Sequence, residues 1–142
     1  MKTMFLIRGV PGIGKTTFAK NLLEEHVNDI PLWIHIETDQ YWFRPDGTYD
    51  FNFKYLSNAH EWCYRTVKSK LGMKSVIVSN TFTTHKEMVP YIDLATEFDY
   101  KLIVIRCGTE YGSIHSVPET TMEKMRNRFE DYEGEIYVED YK

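Results

Sequence analysis

Between Gly9 and Thr16 the chain reads GVPGIGKT. Three glycines and a proline within eight residues suit neither a regular helix nor a strand interior, so this segment must be a loop. What flanks it narrows the fold further. Met4 to Arg8 is a short apolar run of the kind that forms a buried strand, and Phe18, Leu22 and Leu23 recur at helical spacing after the glycines. Strand, glycine loop and helix in that order satisfy G-x-x-x-x-G-K-[ST], with Gly9, Gly14, Lys15 and Thr16 at the defining positions. Each residue type has a physical task. Glycines let successive backbone N–H groups turn inward around a phosphate, the helix N-terminus adds partial positive charge, Lys15 faces β- and γ-phosphate oxygens, and the Thr16 hydroxyl is placed for Mg²⁺. The nucleotide-binding stretch is therefore Gly9, Val10, Pro11, Gly12, Ile13, Gly14, Lys15, Thr16 and Thr17, with ATP and Mg²⁺ the expected ligands. A dinucleotide loop fits worse, because its G-x-G-x-x-G pattern wants a third glycine where Thr17 stands.

The rest of the chain alternates between two periods. Leu32–Glu37, Ser75–Ser79 and Lys101–Arg106 read as further strands. Between them, Leu56, Ala59, Cys63, Val67 and Leu71 share one face of a helix over about 57–71, and Met88, Ile92, Ala95 and Phe98 line another. That second helix is expected to begin only near Pro90, since proline is tolerated in a first turn. The alternation predicts an α/β fold of three layers, a P-loop NTPase or kinase architecture with a mostly parallel sheet flanked by helices, in one domain over 1–142. Ser116-Val-Pro-Glu119 resembles a capping box opening a last helix with Met122, Met125 and Phe129 inward, after a short lid at about 107–117. The acidic tail over 134–142 reads either as a short edge strand or as a segment without fixed structure.

Composition excludes several classes. No run is long enough to span a bilayer, and MKTMFLIR is too short an apolar stretch for a secretory signal, so a cytoplasmic protein with Cys63 and Cys107 as reduced thiols is expected. A net charge of −4 means that any nucleic acid must be met by a local site, since the surface as a whole will not attract it. The sequence leaves the oligomeric state open.

The second strand runs into HIETDQYW, which places Asp39 at the carboxyl edge of the sheet, where ligands of open α/β folds gather. A carboxylate there is a candidate catalytic base for a hydroxyl facing the γ-phosphate; a helix or turn cap is the plainer alternative. Residues 41–53, YWFRPDGTYDFNF, combine rings with a Pro-Asp-Gly turn signal. Such rings either stack an acceptor nucleobase beside Arg44 or fold the loop onto the core. His60 and Cys63 stand one helical turn apart, but two ligands without a third do not make a metal site, and none is assigned there.

Taken together, GVPGIGKTT, ETDQYW, YDFNFKYLSNAHEWC, VIVSNTFTTHKEMVPYIDLA and VPETTMEKMRNRFE resemble the P-loop kinases related to the phage 5′-hydroxyl polynucleotide kinase and its AAA_33-type relatives, over nearly the whole chain. The resemblance implies transfer of the ATP γ-phosphoryl to a polynucleotide 5′ end or a nucleotide-like acceptor, with Asp39 as general base; Trp42 and Arg44 of the aromatic loop, with Asn80 and Thr81 after the third strand, are the candidate acceptor contacts. The acceptor would be a single-stranded 5′ end or a nucleotide. The chain departs from that family twice. Ser79-Asn80-Thr81-Phe82 stands where the family has an Asp-Asn-Thr-Asn type stretch, so a carboxylate near the metal is missing, and residues 107–117 contain no Lys or Arg. A compensating cation must come from Arg106, His115, Arg126 or Arg128; Arg126, bordering the inward face of the last helix, is the first choice as the third catalytic residue beside Asp39 and Lys15. If none compensates, the chain is a catalytically impaired ATP-binding module that docks a partner; a small-molecule kinase is the remaining reading.

Overall fold

Residues 1–25, 32–108, 123–124 and 127–139 are described by a computed structural model. Strand β1 (Thr3–Arg8) leads through the glycine loop into helix α1 (Lys15–Glu24), and β2 (Trp33–Ile36) into a 3-10 helix over Thr38–Trp42. Helix α2 (Leu56–Lys70), β3 (Ser75–Ser79), α3 (His85–Glu97), β4 (Lys101–Cys107) and β5 (Ile136–Val138) follow. Among the described residues five strands form one sheet in the order β2-β3-β1-β4-β5, and every pairing is parallel. The expected mostly parallel sheet is thus wholly parallel, and of the two readings for the tail it is the edge strand that holds for 136–138.

Period-2 alternation sorts the strand residues between two apolar layers. Met4, Leu6, Val76 and Val78 face α2 and α3, where Cys63, Val67, Met88 and Leu94 pack against them. On the opposite face Ile7, Ile77 and Ile105 meet Ala19 of α1, together with Val10 and Ile13 of the glycine loop. Every residue of β3 is buried, as a central parallel strand covered on both faces requires. The glycine loop is therefore anchored in one of the two cores.

Helix α3 begins at His85, five residues before the start expected from Pro90. Thr84 and Glu87 form a reciprocal capping box, with the Thr84 amide donating to Glu87 Oε2 at 2.8 Å, and the His85 amide donates to Glu130 Oε1 at 2.6 Å. With the N-terminus so well held, the helix runs through the exposed Pro90, whose nitrogen has no proton to give the Lys86 carbonyl.

Among the described residues the largest wholly buried side chain is charged. Arg8, at the end of β1, donates through Nε and Nη2 to the Phe82 carbonyl at 3.0 and 2.7 Å and through Nη2 to the Thr83 carbonyl at 3.3 Å. Its Nη1 pairs with Glu135 Oε1 at 2.7 Å, and its guanidinium lies 4.4 Å from the Phe129 ring centroid, with that of Arg106 4.6 Å from the same ring. Arg8 so fixes the loop after β3, in which Phe82 takes a left-handed φ of 45°. That loop braces the phosphate loop: the Gly9 amide donates to the Thr81 carbonyl at 3.2 Å. Among the described residues no helix is long and apolar enough to cross a membrane.

Candidate functional site

The glycine loop crosses the carboxyl edge of the sheet. Gly14, at φ 102°, caps α1, a conformation that a side chain would strain. Gly9 is required for another reason, because a Cβ there would stand 2.8 Å from the Cys107 carbonyl oxygen and 2.9 Å from Ile13. Lys15 curls back over the loop and donates from Nζ to the Val10 carbonyl at 2.9 Å. Burial of the ammonium pushes its pKa down to about 8, with Cys107, Glu37 and Asp39 acting in the opposite sense. An ammonium whose hydrogen bond runs to a neutral carbonyl, at the N-terminus of α1, is poised for an anion.

Thr16 is held by a residue that sequence reasoning did not single out. Its Oγ1 donates to Glu37 Oε2 at 2.8 Å, and Ser79 Oγ donates to the same oxygen at 2.8 Å. His35 Nε2 lies 2.7 Å from Ser79 Oγ. The Ser79 proton is committed to Glu37, so the ring must donate, which assigns the Nε2–H tautomer. Burial lowers the His35 pKa, in keeping with a neutral ring. The available signal for Glu37 was its position directly after β2, two residues before Asp39. What concealed it was that its partners lie on α1 and β3.

Asp39 sits on the 3-10 helix, exposed, and accepts a hydrogen bond from the Tyr49 hydroxyl at 2.9 Å. Burial and this carboxylate push the Tyr49 phenol up to about 12, so it stays a donor. Tyr49 is positioned by a bridge to Phe43 that closes the Pro45-Asp46-Gly47 turn, where Asp46 accepts from the Thr48 amide at 2.9 Å.

The residues expected to face an acceptor divide. Trp42 is only 5% exposed, set edge-on to Tyr41 and Phe51, so it anchors the aromatic loop instead of offering a face to a base. Arg44 is exposed and pairs with Asp50 within the same turn. Asn80 joins elements, accepting from the Thr38 amide at 2.9 Å and donating to Cys63 Sγ at 3.6 Å. Both Asn80 and Thr81 also line a cleft of about 460 Å³ between α2 and α3, with His60, Tyr64, Phe82 and Tyr91. His60 reaches Thr38 Oγ1 at 3.4 Å, which ties the cleft wall to the helix carrying Asp39. A second cleft, of about 220 Å³, adjoins Gly9, Val10 and Ile13 and is walled by Cys107, Gly108, Phe129 and Tyr137.

Of the candidate cations, Arg126 and His115 lie outside the described residues, as do lid residues 109–117, the segment 116–122 proposed to open the last helix, Met125 and tail residues 140–142. Arg128 is exposed on the helical stretch 127–128. Arg106 is tied to Asp131 Oδ1 at 2.6 Å and to Glu135 Oε2 at 3.4 Å. Among the described residues no cluster of three His, Cys, Asp or Glu could enclose a metal. A hydroxyl and one carboxylate, Thr16 and Glu37, do suit Mg²⁺, a hard cation that commonly takes most of its ligands from phosphate and water.

Strand, glycine loop, capped helix and a wholly parallel sheet define a P-loop kinase-like domain. The chain belongs to the AAA_33 family, described as an AAA domain, which matches residues 4–116. It is 36% identical over 102 residues to human NEDD4-binding protein 2, an alignment covering 70% of this chain and 6% of that protein. Among solved structures it is similar to Chaetomium thermophilum Kti12 in complex with ADP-AlF3, at a TM-score of 0.66 and 15% identity over 97% of this chain and 89% of that one. It is similar also to a chain of the Pnkp1/Rnl/Hen1 RNA repair complex, at a TM-score of 0.66 and 17% identity over 90% of this chain and 44% of that one. These likenesses carry the fold.

Proposed function

We propose that this chain is an ATP-dependent phosphotransferase that moves the γ-phosphoryl group to a hydroxyl of a nucleic-acid 5′ end or a nucleotide-like acceptor. The observation that carries the reading is the joining of the phosphate loop to the helix that bears Asp39, since Thr16 bonds Glu37 at that helix's N-terminus, with an open cleft reaching the same helix through His60 and Asn80. Lys15 and the loop amides hold the polyphosphate and draw charge toward the oxygens that gain it. Asp39, fixed by Tyr49, accepts the acceptor's hydroxyl proton as its oxygen bonds to the γ-phosphorus and the bond to the bridging oxygen of the departing ADP breaks. Mg²⁺, where bound, would be held by Thr16 beside Glu37 and would neutralise phosphate charge. Arg126 remains our proposed second cation. Exposed rings of Phe43, Tyr49, Phe51 and Phe53 support a stacking acceptor, and the likeness to a chain of an RNA repair complex points the same way.

The second reading, an ATP-binding module without turnover, is favoured by Arg106, whose ion pairs hold it in place. The test is transfer of radiolabelled γ-phosphate to 5′-hydroxyl DNA and RNA oligomers, nucleosides, small hydroxylated metabolites and water. Labelled oligomer or nucleotide is the expected product; retained ATP binding with no transfer selects the module.

A further inference from the structure

The hydroxyl of a phosphate-loop threonine that gives a lone pair to a metal keeps its proton, and that proton needs an acceptor. In P-loop NTPases a carboxylate at a strand end accompanies this hydroxyl at the magnesium. Here β3, next to β1 in the sheet, ends in Ser79. The carboxylate comes from one strand further out: Glu37, immediately after β2, accepts from Thr16 Oγ1 and from Ser79 Oγ, both at 2.8 Å on the single oxygen Oε2. Its side chain is only 14% exposed, and the chain His35 Nε2–H to Ser79 Oγ–H to Glu37 aims it from behind.

We infer that Glu37 takes over the metal-organising role that Ser79 cannot fill, relocating the magnesium carboxylate from β3 to β2. The inference rests on the proposed use of ATP and makes Glu37 a positioning residue distinct from the base Asp39. It also explains why Ser79 is tolerated, since a serine leaves room for the neighbouring carboxylate and donates to it.

The test separates charge from fold. Calorimetric titration of the full chain with ATP is run in excess Mg²⁺ and again in excess EDTA, for wild type, Glu37→Gln, Glu37→Asp and the double variant Glu37→Gln with Ser79→Asp. Glu37→Gln should weaken MgATP by about 10- to 100-fold, the range seen when groups orienting a metal's ligands are removed. Metal-free ATP should bind it as tightly as wild type or more tightly, because a negative charge facing the polyphosphate is gone. Ser79→Asp in that background should restore the Mg²⁺ preference. Glu37→Asp, which keeps the charge but withdraws it by one methylene, should lie between and decides the matter if Glu37→Gln does not fold. Equal loss of affinity with and without Mg²⁺, or unchanged affinity in a folded variant, overturns the inference while leaving the wild type's use of ATP untouched. Absence of ATP binding in the wild type removes the phosphotransferase reading and this inference together.

Discussion

Glu135→Gln is expected to lower the melting temperature by about 10 °C, although the residue stands at the rim of the sheet, far from the phosphate loop in sequence. Glu135 supplies the countercharge to Arg8, whose side chain is fully buried, and Gln can still accept from Arg8 Nη1 but carries no charge. Removing one partner of a buried pair leaves the other uncompensated and typically costs 3–5 kcal/mol; the 12% exposure of Glu135 places this case near the lower end, about 3 kcal/mol. A chain of 142 residues unfolds with an entropy of about 0.3 kcal/mol/K, which converts that loss to about 10 °C. The matched control is Glu61→Gln on α2, whose pair with Arg65 at 2.6 Å is exposed on both sides. Such pairs are worth about 0.3–0.5 kcal/mol, so a shift of about 1–2 °C is expected there. Thermal melts followed by far-UV circular dichroism measure both. A fall of less than about 3 °C for Glu135→Gln would show that the carbonyls of Phe82 and Thr83 and the Phe129 ring suffice to stabilise the Arg8 charge, and the reasoning from the pair would be wrong.

Lys15→Ala should weaken MgATP binding by more than about 100-fold with little change in melting temperature, measured by calorimetry and thermal denaturation. Because Lys15 titrates near 8 when folded against 10.5 for the free side chain, the unfolded chain holds more protons between those values and the fold gains relative stability as pH rises through them. Phosphate binding needs the ammonium and runs the opposite way: ATP affinity should fall about tenfold from pH 7 to pH 9, a dependence absent from Lys15→Ala and refuted by a flat profile. Asp39→Asn should cut γ-phosphoryl transfer by about 100-fold or more while leaving the Kd for ATP nearly unchanged, read by single-turnover assays beside calorimetry. A large drop in melting temperature with unchanged transfer would make Asp39 a cap.

The parallel sheet and the phosphate loop were legible because their signals are local: an apolar run, a glycine loop with Lys-Thr, and a helical period within about 20 residues. Pro90 misled because a proline's local preference for a first turn was outweighed by the Thr84–Glu87 box and by Glu130, 45 residues away. Trp42 looked like a base platform from its aromatic neighbours, yet those same rings, Tyr41 and Phe51, pack against it. Arg8 and Glu37 drew no notice for one physical reason. Arg8 finds its carbonyl acceptors and its countercharge 74 to 127 positions along the chain, and Glu37 meets its partners from 21 positions before and 42 positions after it, so only the folded topology reveals either.

Both proposed working carboxylates follow an edge strand of the sheet, Glu37 directly after β2 and Asp39 on the 3-10 helix beyond it. Strand β2 is four residues long, hydrogen-bonded on one flank to β3, and contributes a single fully buried residue, Ile36. Ile34 packs against one core and Trp33 against the other, so peeling the strand away exposes apolar surface on both faces, yet a strand paired on one flank opens at a lower free energy than global unfolding. Such an opening would draw Glu37 away and leave Lys15 and Thr16 behind at the start of α1. On the proposed use of MgATP, the sheet edge would thereby act as a latch on the magnesium carboxylate. A ligand gripping both sides, through Thr16 and Glu37, draws the latch shut by mass action, and amide protons of residues 33–36 would exchange more slowly with solvent in its presence.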